Sequence, residues 1–202
     1  MLTLDHLAVA GETLAEAVAH VEEALGVEMG SGGEHAHFGT HNQLIGLADG
    51  IYLEAIAANP AAGDLPYPRW FDLDRLHGAP RLGNWICRTD DMDAELARLD
   101  VDAGKVVHLT RGDLRWRMAV PDSGVLPFDN RFPALIQWDV AVTPAEILAP
   151  SGVALARLEV AHPEHEDLAA HVGVSDPRVV FVAGKPALQA TFDTPHGQRV
   201  LR

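Results

Sequence analysis

A chain of 202 residues with a single cysteine, Cys87, cannot form an intrachain disulfide, and a reducing, cytoplasmic compartment is the expectation. Lysine is nearly missing, at positions 105 and 185 only, and no Lys/Arg cluster occurs anywhere. Against 15 basic residues stand 29 acidic ones, a formal net charge of −14. Such a surface repels phosphate backbones and anionic lipid, so neither nucleic acid nor a membrane is an expected partner. No apolar run approaches the length that crosses a bilayer. The start, Met1-Leu2-Thr3-Leu4-Asp5-His6, lacks the basic flank and apolar stretch of a signal peptide. What is plentiful is core-forming material: 48% hydrophobic against 22% charged residues, the balance of a globular chain. Arg in place of Lys, with abundant Ala, Gly and Pro, is the usage of a GC-rich bacterial genome.

These residues fall into a repeated pattern. Thr3–Ala10 alternates as a half-buried strand does, and Gly11 ends it. Thr13 followed by Glu16 predicts a capping box. Leu14, Ala17, Val18, Val21 and Leu25 then recur at helical spacing, with Gly26 as the stop. A Gly-rich turn, Gly30–Gly33, leads to short strands at His35–Gly39, Asn42–Leu47 and Ile51–Ala57, the last two joined by the hairpin signal Asp49-Gly50. Residues 1–60 thus read βαβββ.

Pro60, Pro66, Pro68 and Pro80 mark residues 61–80 as a linker, with a short helix at Arg69–Leu76. Over 81–140 the order resumes. Leu82–Thr89 is a strand, and Asp90 or Asp91 caps a helix that buries Met92, Leu96 and Leu99. Lys105–Thr110 and Leu114–Val120 pair through Gly112-Asp113, and a loop, Pro121–Pro133, leads to the strand Ala134–Asp139. A third βαβββ-like module, 151–202, has strands at Val153–Ala161, Arg178–Val182, Ala187–Asp193 and Gln198–Leu201, and a helix with Pro163 at its first position and Gly173 at its end. The pattern repeats although the letters do not. The expected class is α+β, built of repeated βαβββ modules.

Leu4-Asp5-His6-Leu7-Ala8-Val9, with Tyr52-Leu53-Glu54-Ala55-Ile56 further on, resembles the first module of the vicinal-oxygen-chelate superfamily. More narrowly, Gly33-Glu34-His35, Gly39-Thr40-His41-Asn42 and Tyr52-Leu53-Glu54 resemble the glyoxalase-like domain proteins. The likeness runs on through Arg111-Gly112, Leu114-Arg115-Trp116, Pro127-Phe128 and Leu135-Ile136-Gln137-Trp138, and into the tail at Glu159-Val160-Ala161-His162-Pro163. It implies paired modules curling into half-open barrels around a substrate, with helices packed outside. In metal-dependent members the first and fourth strands of each module supply ligands. Four positions then hold a divalent cation (Zn, Mn, Fe or Ni) that chelates neighbouring substrate oxygens and stabilises an enolate-like intermediate.

Strand alternation puts His6 on one face with Leu4 and Ala8, and Glu54 on one face with Tyr52 and Ile56. An imidazole nitrogen and a carboxylate oxygen suit either a metal's coordination shell or a base and an acid. The plainer alternative is a polar strand end and a solvated carboxylate. In module two the matching positions read as Trp85 and Gln137, which leaves the four-ligand set incomplete. His41, or else His35 or His37, could supply a further donor from a Gly-flanked loop, or be an exposed loop histidine. Trp85 and Trp116 offer apolar walls, or are core. Arg117 or Arg115 could hold a substrate carboxylate through its planar fork, or sit on the surface. Asn42 and Gln137 could orient a substrate by neutral hydrogen bonds, or satisfy the core.

Other signals fail on their own chemistry. His165-Glu166 opens like a zinc-protease helix motif, but the second His would stand where Ala169 is. Gly30-Ser31-Gly32-Gly33 opens no helix after a strand, and Ser151-Gly152 lies in a Pro-rich turn without a nucleophile elbow. Cys87, in mid-strand, reads as a buried structural thiol. The expected function is a glyoxalase-like enzyme of lyase or isomerase type acting on a small molecule. The alternative is a metal-free binding or sequestering protein of the same fold. A third module without a pairing partner predicts a homodimer.

Overall fold

A computed structural model describes residues 2–202. Strand β1 (Thr3–Ala10) is followed by helix α1 (Leu14–Leu25). The capping box forms: Thr13 Oγ1 accepts from the Glu16 amide, and Glu16 Oε2 accepts from the Thr13 amide, both at 3.2 Å. Gly26 closes the helix in the left-handed region, φ 72°, where a Cβ would be strained. The helix buries Ala17, Val21 and Leu25 against the sheet. Strands β2 (Gly32–His35), β3 (Thr40–Gly46) and β4 (Tyr52–Ala58) complete module one. Asp49 and Gly50 turn between β3 and β4 with both φ values near +65°, the mirror-image geometry that hairpins favour. The predicted strand at His35–Gly39 falls earlier, because β2 pairs Gly32–His35 with Thr40–Gln43 and leaves 36–39 as the turn.

Module two repeats the order: β5 (Arg81–Arg88), α2 (Met92–Arg98) capped by Asp91, β6 (Lys105–Arg111), β7 (Leu114–Val120), the single turn α3 (Pro127–Asn130) and β8 (Ala134–Trp138). All eight strands form one sheet in the order β2-β3-β4-β1-β5-β8-β7-β6. Within each module the first strand runs parallel to the last, and β1 meets β5 antiparallel at the junction. Twist then brings the free edges β2 and β6 together, with Arg111 Nη1 3.4 Å from His35 Nε2. The result is the expected α+β architecture, a nearly closed barrel with its few helices outside.

After the turn α4 (Pro144–Ile147), strand β9 (Ala154–Ala161), helix α5 (His165–Val172), β10 (Val179–Val182), β11 (Ala187–Thr194) and β12 (Gly197–Leu201) form a separate four-stranded sheet. Its element order is βαβββ, but its pairing is not that of the barrel modules. Here the first strand pairs with the second in parallel and with the third antiparallel, giving β10-β9-β11-β12. Helix α5 starts two residues after Pro163, because His162 Nδ1 accepts from the Glu164 amide at 3.0 Å and holds an extra turn. This unit packs on the outside of the barrel. The Leu82 amide donates to the Arg202 carbonyl at 2.9 Å, and the rings of Phe181 and Trp85 meet edge to face at 6.0 Å. No helix among the described residues is long and apolar enough to cross a membrane.

Candidate active-site cavity

The barrel interior is polar at one place. β1 carries a bulge between Leu4 and His6 in its pairing with β5. Strict alternation would send the neighbours Asp5 and His6 to opposite faces; the bulge lets their side chains meet. Asp5 Oδ1 lies 2.6 Å from His6 Nδ1, while Asp5 Oδ2 accepts from Trp138 Nε1 at 3.0 Å. A carboxylate only accepts, so Nδ1 carries a ring hydrogen, and in the neutral imidazole Nε2 keeps its lone pair. That lone pair faces Glu54. The parallel pairing of β1 with β4 sets Tyr52 beside His6, their rings stacked at 4.3 Å, and sets Glu54 one step further along. His6 Nε2 and Glu54 Oε2 are 3.7 Å apart, and both residues are about 5% exposed.

Asn42 on β3 fixes the second carboxylate oxygen: its Nδ2 donates to Glu54 Oε1 at 2.5 Å. Its Oδ1 accepts from the Gly33 amide at 2.8 Å and from Arg111 Nη1 at 3.1 Å. Every polar atom of this buried amide is therefore paired. His35 stands beside it, with Nδ1 3.0 Å from Thr40 Oγ1 and Nε2 3.4 Å from both Asn42 Nδ2 and Arg111 Nη1. Nε2 faces two donors, so it accepts and the ring is neutral. Burial, then the charges of Arg111 and His6, drive its pKa down to about 3. Burial raises the Glu54 carboxyl above its ordinary value, against the opposing pull of His6, Asn42 and Arg111. The Tyr52 phenol is held well above its usual range by burial and by the charges of Asp5 and Glu54.

The rest of the wall is apolar. Leu44, Leu114, Trp116, Met118, Ile136 and Trp138 come from the sheet, and Trp70 and Phe71 from the linker between the modules. The cavity is tight, with a volume of about 30 Å³ open to the centres of water-sized molecules. Phe71 lies in the left-handed region at φ 60°, unusual for an aromatic residue, and the next amide, of Asp72, is tied to the Gly124 carbonyl at 2.9 Å. The linker is thus a roof pinned to module two.

Residues 4–173 match the family described as a glyoxalase-like domain. The chain belongs to this family. Among solved structures, a hypothetical protein from Staphylococcus aureus is similar at TM-score 0.63 and 15% identity, over 93% of this chain and 88% of that one. A methylmalonyl-CoA epimerase from Streptomyces coelicolor, in complex with 2-nitronate-propionyl-CoA, aligns at TM-score 0.46 and 19% identity over 71% of this chain and 100% of its own. The methylmalonyl-CoA epimerase from Mycobacterium tuberculosis aligns at TM-score 0.42 and 19% identity, over 69% and 88%. No curated protein matches the sequence.

Of the residues singled out from the sequence of this glyoxalase-like protein, the cavity brings His6, Glu54, Asn42, His35 and Trp116 together. Four others lie elsewhere. Trp85 pairs with Leu7, not His6, so it faces the outer layer, where its Nε1 donates to the Arg131 carbonyl at 2.8 Å. The residue opposite His6 is Ile86. Gln137 is likewise one residue out of register. Ile136 and Trp138 line the cavity, while Gln137 turns outward and caps α2, accepting from the Met92 amide at 2.8 Å and donating to the Asp90 carbonyl at 3.0 Å. Arg117 shares that outer face as the partner of Gln137 and is held by Asp139 through two hydrogen bonds, at 2.8 and 3.1 Å. His41 alternates with the inward Thr40 and Asn42, so it points to a groove on the other side of β3, beside Glu12 and Arg69.

The same periodicity, moved by one residue in module two, would have found Trp138. Arg111 stands in the Arg111-Gly112 pair of the family likeness, but nothing local assigns it a role, because its partners come from the opposite edge of the barrel. Arg115 stays outside, its Nη1 donating to the Gly112 and Leu114 carbonyls.

The donor set bears on the metal that the family implies. His6 Nε2 and Glu54 Oε2 could contribute two ligands. The facing positions of module two, Ile86, Ile136 and Trp138, contribute no lone pair. Among the described residues no group of three His, Cys, Asp or Glu could hold an ion. The residues present do not fit a four-ligand metal site.

Proposed function

We propose that this glyoxalase-like protein is an enzyme that moves a proton between carbon and oxygen of a small carbonyl compound, a reaction of isomerase or lyase type. One observation carries the reading: an imidazole with a free lone pair faces a buried carboxyl at 3.7 Å, inside a barrel that excludes bulk water. Asp5 orients His6 as a base and stabilises the charge that it gains. Burial favours the neutral form of Glu54, and so a proton on it to give. In the forward step the C–H proton beside the carbonyl passes to His6 Nε2. The electron pair moves into the new C=C bond, and the carbonyl oxygen takes the Glu54 proton to form an enol. Reversal with proton return to the other face of the same carbon completes an epimerisation. Where that carbon bears a hydroxyl, proton return to the former carbonyl carbon while Glu54 takes back the hydroxyl proton completes an isomerisation, in either case without net gain or loss of protons.

A second reading, a metal-free binding protein, is favoured by the aromatic wall of Tyr52, Trp70, Phe71, Trp116 and Trp138. Deuterium exchange separates the two. Small 2-oxo acids and their amides, incubated with the protein in D2O, are followed by proton NMR. The enzyme reading expects protein-dependent loss of the signal beside the carbonyl, abolished by His6→Ala and unaffected by dialysis against a chelator. Binding without exchange would leave the second reading standing alone. A homodimer is not needed to complete the cavity, since both modules lie in one chain, and light scattering on the purified protein tests for it.

A further inference from the structure

Arg111 is a half-buried cation on the cavity wall, at the barrel's closing seam, without a carboxylate partner. Among the described residues no carboxylate lies within ion-pairing distance of it, whereas Arg88 approaches Asp5 at 3.7 Å. Both hydrogen bonds that Arg111 makes to protein use a single nitrogen, Nη1, so Nε and Nη2 have no protein acceptor. Asn42 stands between it and Glu54, giving its amide nitrogen to Glu54 and its amide oxygen to Arg111. The arrangement is close-fitting: a Cβ on Gly33 would stand 2.9 Å from Arg111 Cδ. A donor that is both buried and unpaired lies in the same wall. Trp70 Nε1 is buried without an acceptor, and its ring meets that of His35, Arg111's neighbour, at 5.1 Å. An unpaired buried donor costs free energy that a ligand oxygen would return.

We infer that Arg111 anchors a carboxylate, so that the cavity takes small 2-oxo acids rather than neutral carbonyl compounds. This deepens the proton-transfer reading and rests on it for the role of the carbonyl. One planar guanidinium fork matches one carboxylate. Only one Asn42 amide separates the anchor from Glu54, so an acid whose carbonyl is adjacent to its carboxylate reaches both ends. A phosphate dianion would need more positive charge than a single arginine set near Asp5 and Glu54 supplies. Arg111 is in this view a substrate-binding residue from the barrel's closing seam, supplied by module two to a proton-transfer pair supplied by module one.

The test is calorimetric titration of the full-length protein with pyruvate and 2-oxobutyrate and with the uncharged amide of each. The acids are expected to bind more tightly than their amides, and Arg111→Gln to weaken the acids about ten- to a hundredfold while leaving the amides unchanged. Arg111→Lys, which keeps the charge without the fork, should recover part of the loss, and circular dichroism checks that each variant folds. Equal affinity for acid and amide, no binding of either acid, or indifference of the acids to Arg111→Gln overturns the anchor. Failure of the proton-transfer reading looks different: Arg111-dependent binding of the acids with no deuterium exchange. Exchange that persists unchanged in Arg111→Gln would instead sink the anchor and leave His6 and Glu54 standing.

Discussion

His6 Nε2 points at Glu54 Oε2 across 3.7 Å, from a strand whose bulge also lets Asp5 reach the other ring nitrogen at 2.6 Å. The second relationship explains the first. With Nδ1 tied to an acceptor, the imidazole has one tautomer and one orientation, and the lone pair left over is the one that faces the carboxyl. Tyr52, stacked on the ring, prevents it from tilting away.

Asp5→Asn tests this directly. The Asn amide can donate to Nδ1 as readily as accept, which would move the ring hydrogen to Nε2 and remove the base. Deuterium exchange should fall about a hundredfold or more. The Trp138 Nε1 contact can still be accepted by the amide oxygen, so the fold should survive and a thermal melt should show a transition close to that of the parent. Exchange at the parent rate would show that His6 does not act through Nε2.

His35 predicts a pH dependence of stability. Its native pKa lies at about 3 against 6.5 for the exposed group, because burial and Arg111 oppose its charge. Between those values the unfolded chain binds a proton that the native chain refuses. Stability is therefore fully present above about pH 6.5 and is lost as the pH falls toward 3, by about 1.4 kcal/mol per pH unit from this residue. Urea titrations across that range should show a shallower acid loss in His35→Gln than in the parent. Parallel curves would mean that the ring becomes charged in place.

Much of the barrel is legible in the sequence because strand alternation, the Thr13–Glu16 box and the turns at Asp49-Gly50 and Gly112-Asp113 are local signals. His6 and Glu54 were legible through the family resemblance and not through alternation, since β1 and β4 are themselves buried on both faces, over Leu4–Ala10 and Tyr52–Ala57. Trp85 and Gln137 were read one residue out of register because β5 and β8 are buried on both faces: Leu82–Cys87 and Ala134–Ile136 are all inaccessible, so alternation carries no phase. The third unit shows a similar limit. Its order of elements repeats that of the barrel modules, but pairing order is set by packing on the barrel, which no run of letters displays. Trp70 and Phe71 looked like linker because their partners lie across the mouth of the barrel.

The register of β5 gives a prediction that separates the tryptophans. Trp85→Phe removes an indole hydrogen bond to the Arg131 carbonyl and should cost about 1 to 2 kcal/mol of stability. It should leave 2-oxo acid binding untouched, because the ring lies between the barrel and Phe181. Trp116→Phe, which alters the cavity wall, should change affinity. A ligand-binding defect in Trp85→Phe with Trp116→Phe unaffected would reverse this assignment.

Glu54→Gln should make the protein more stable and inactive at once. Burial raises the native pKa of Glu54 above its ordinary 4.5, so the native state holds its proton at pH values where the unfolded chain has released it. The stability this proton represents is complete below pH 4.5 and is lost as the pH rises through the native value. This runs opposite in sign to His35. A glutamine cannot ionise, keeps an oxygen to accept from Asn42 Nδ2, and avoids placing a charge in the barrel. In urea titrations the variant should therefore lack the loss of stability above pH 4.5 that this residue gives the parent. It also has no proton to transfer to a carbonyl oxygen, and deuterium exchange should stop. A carboxyl kept in the barrel at the expense of stability is what a functional group looks like, and what a packing residue does not. If Glu54→Gln is less stable than the parent near neutral pH and keeps its exchange activity, Glu54 is a structural acceptor for Asn42 and the proton-transfer pair does not exist.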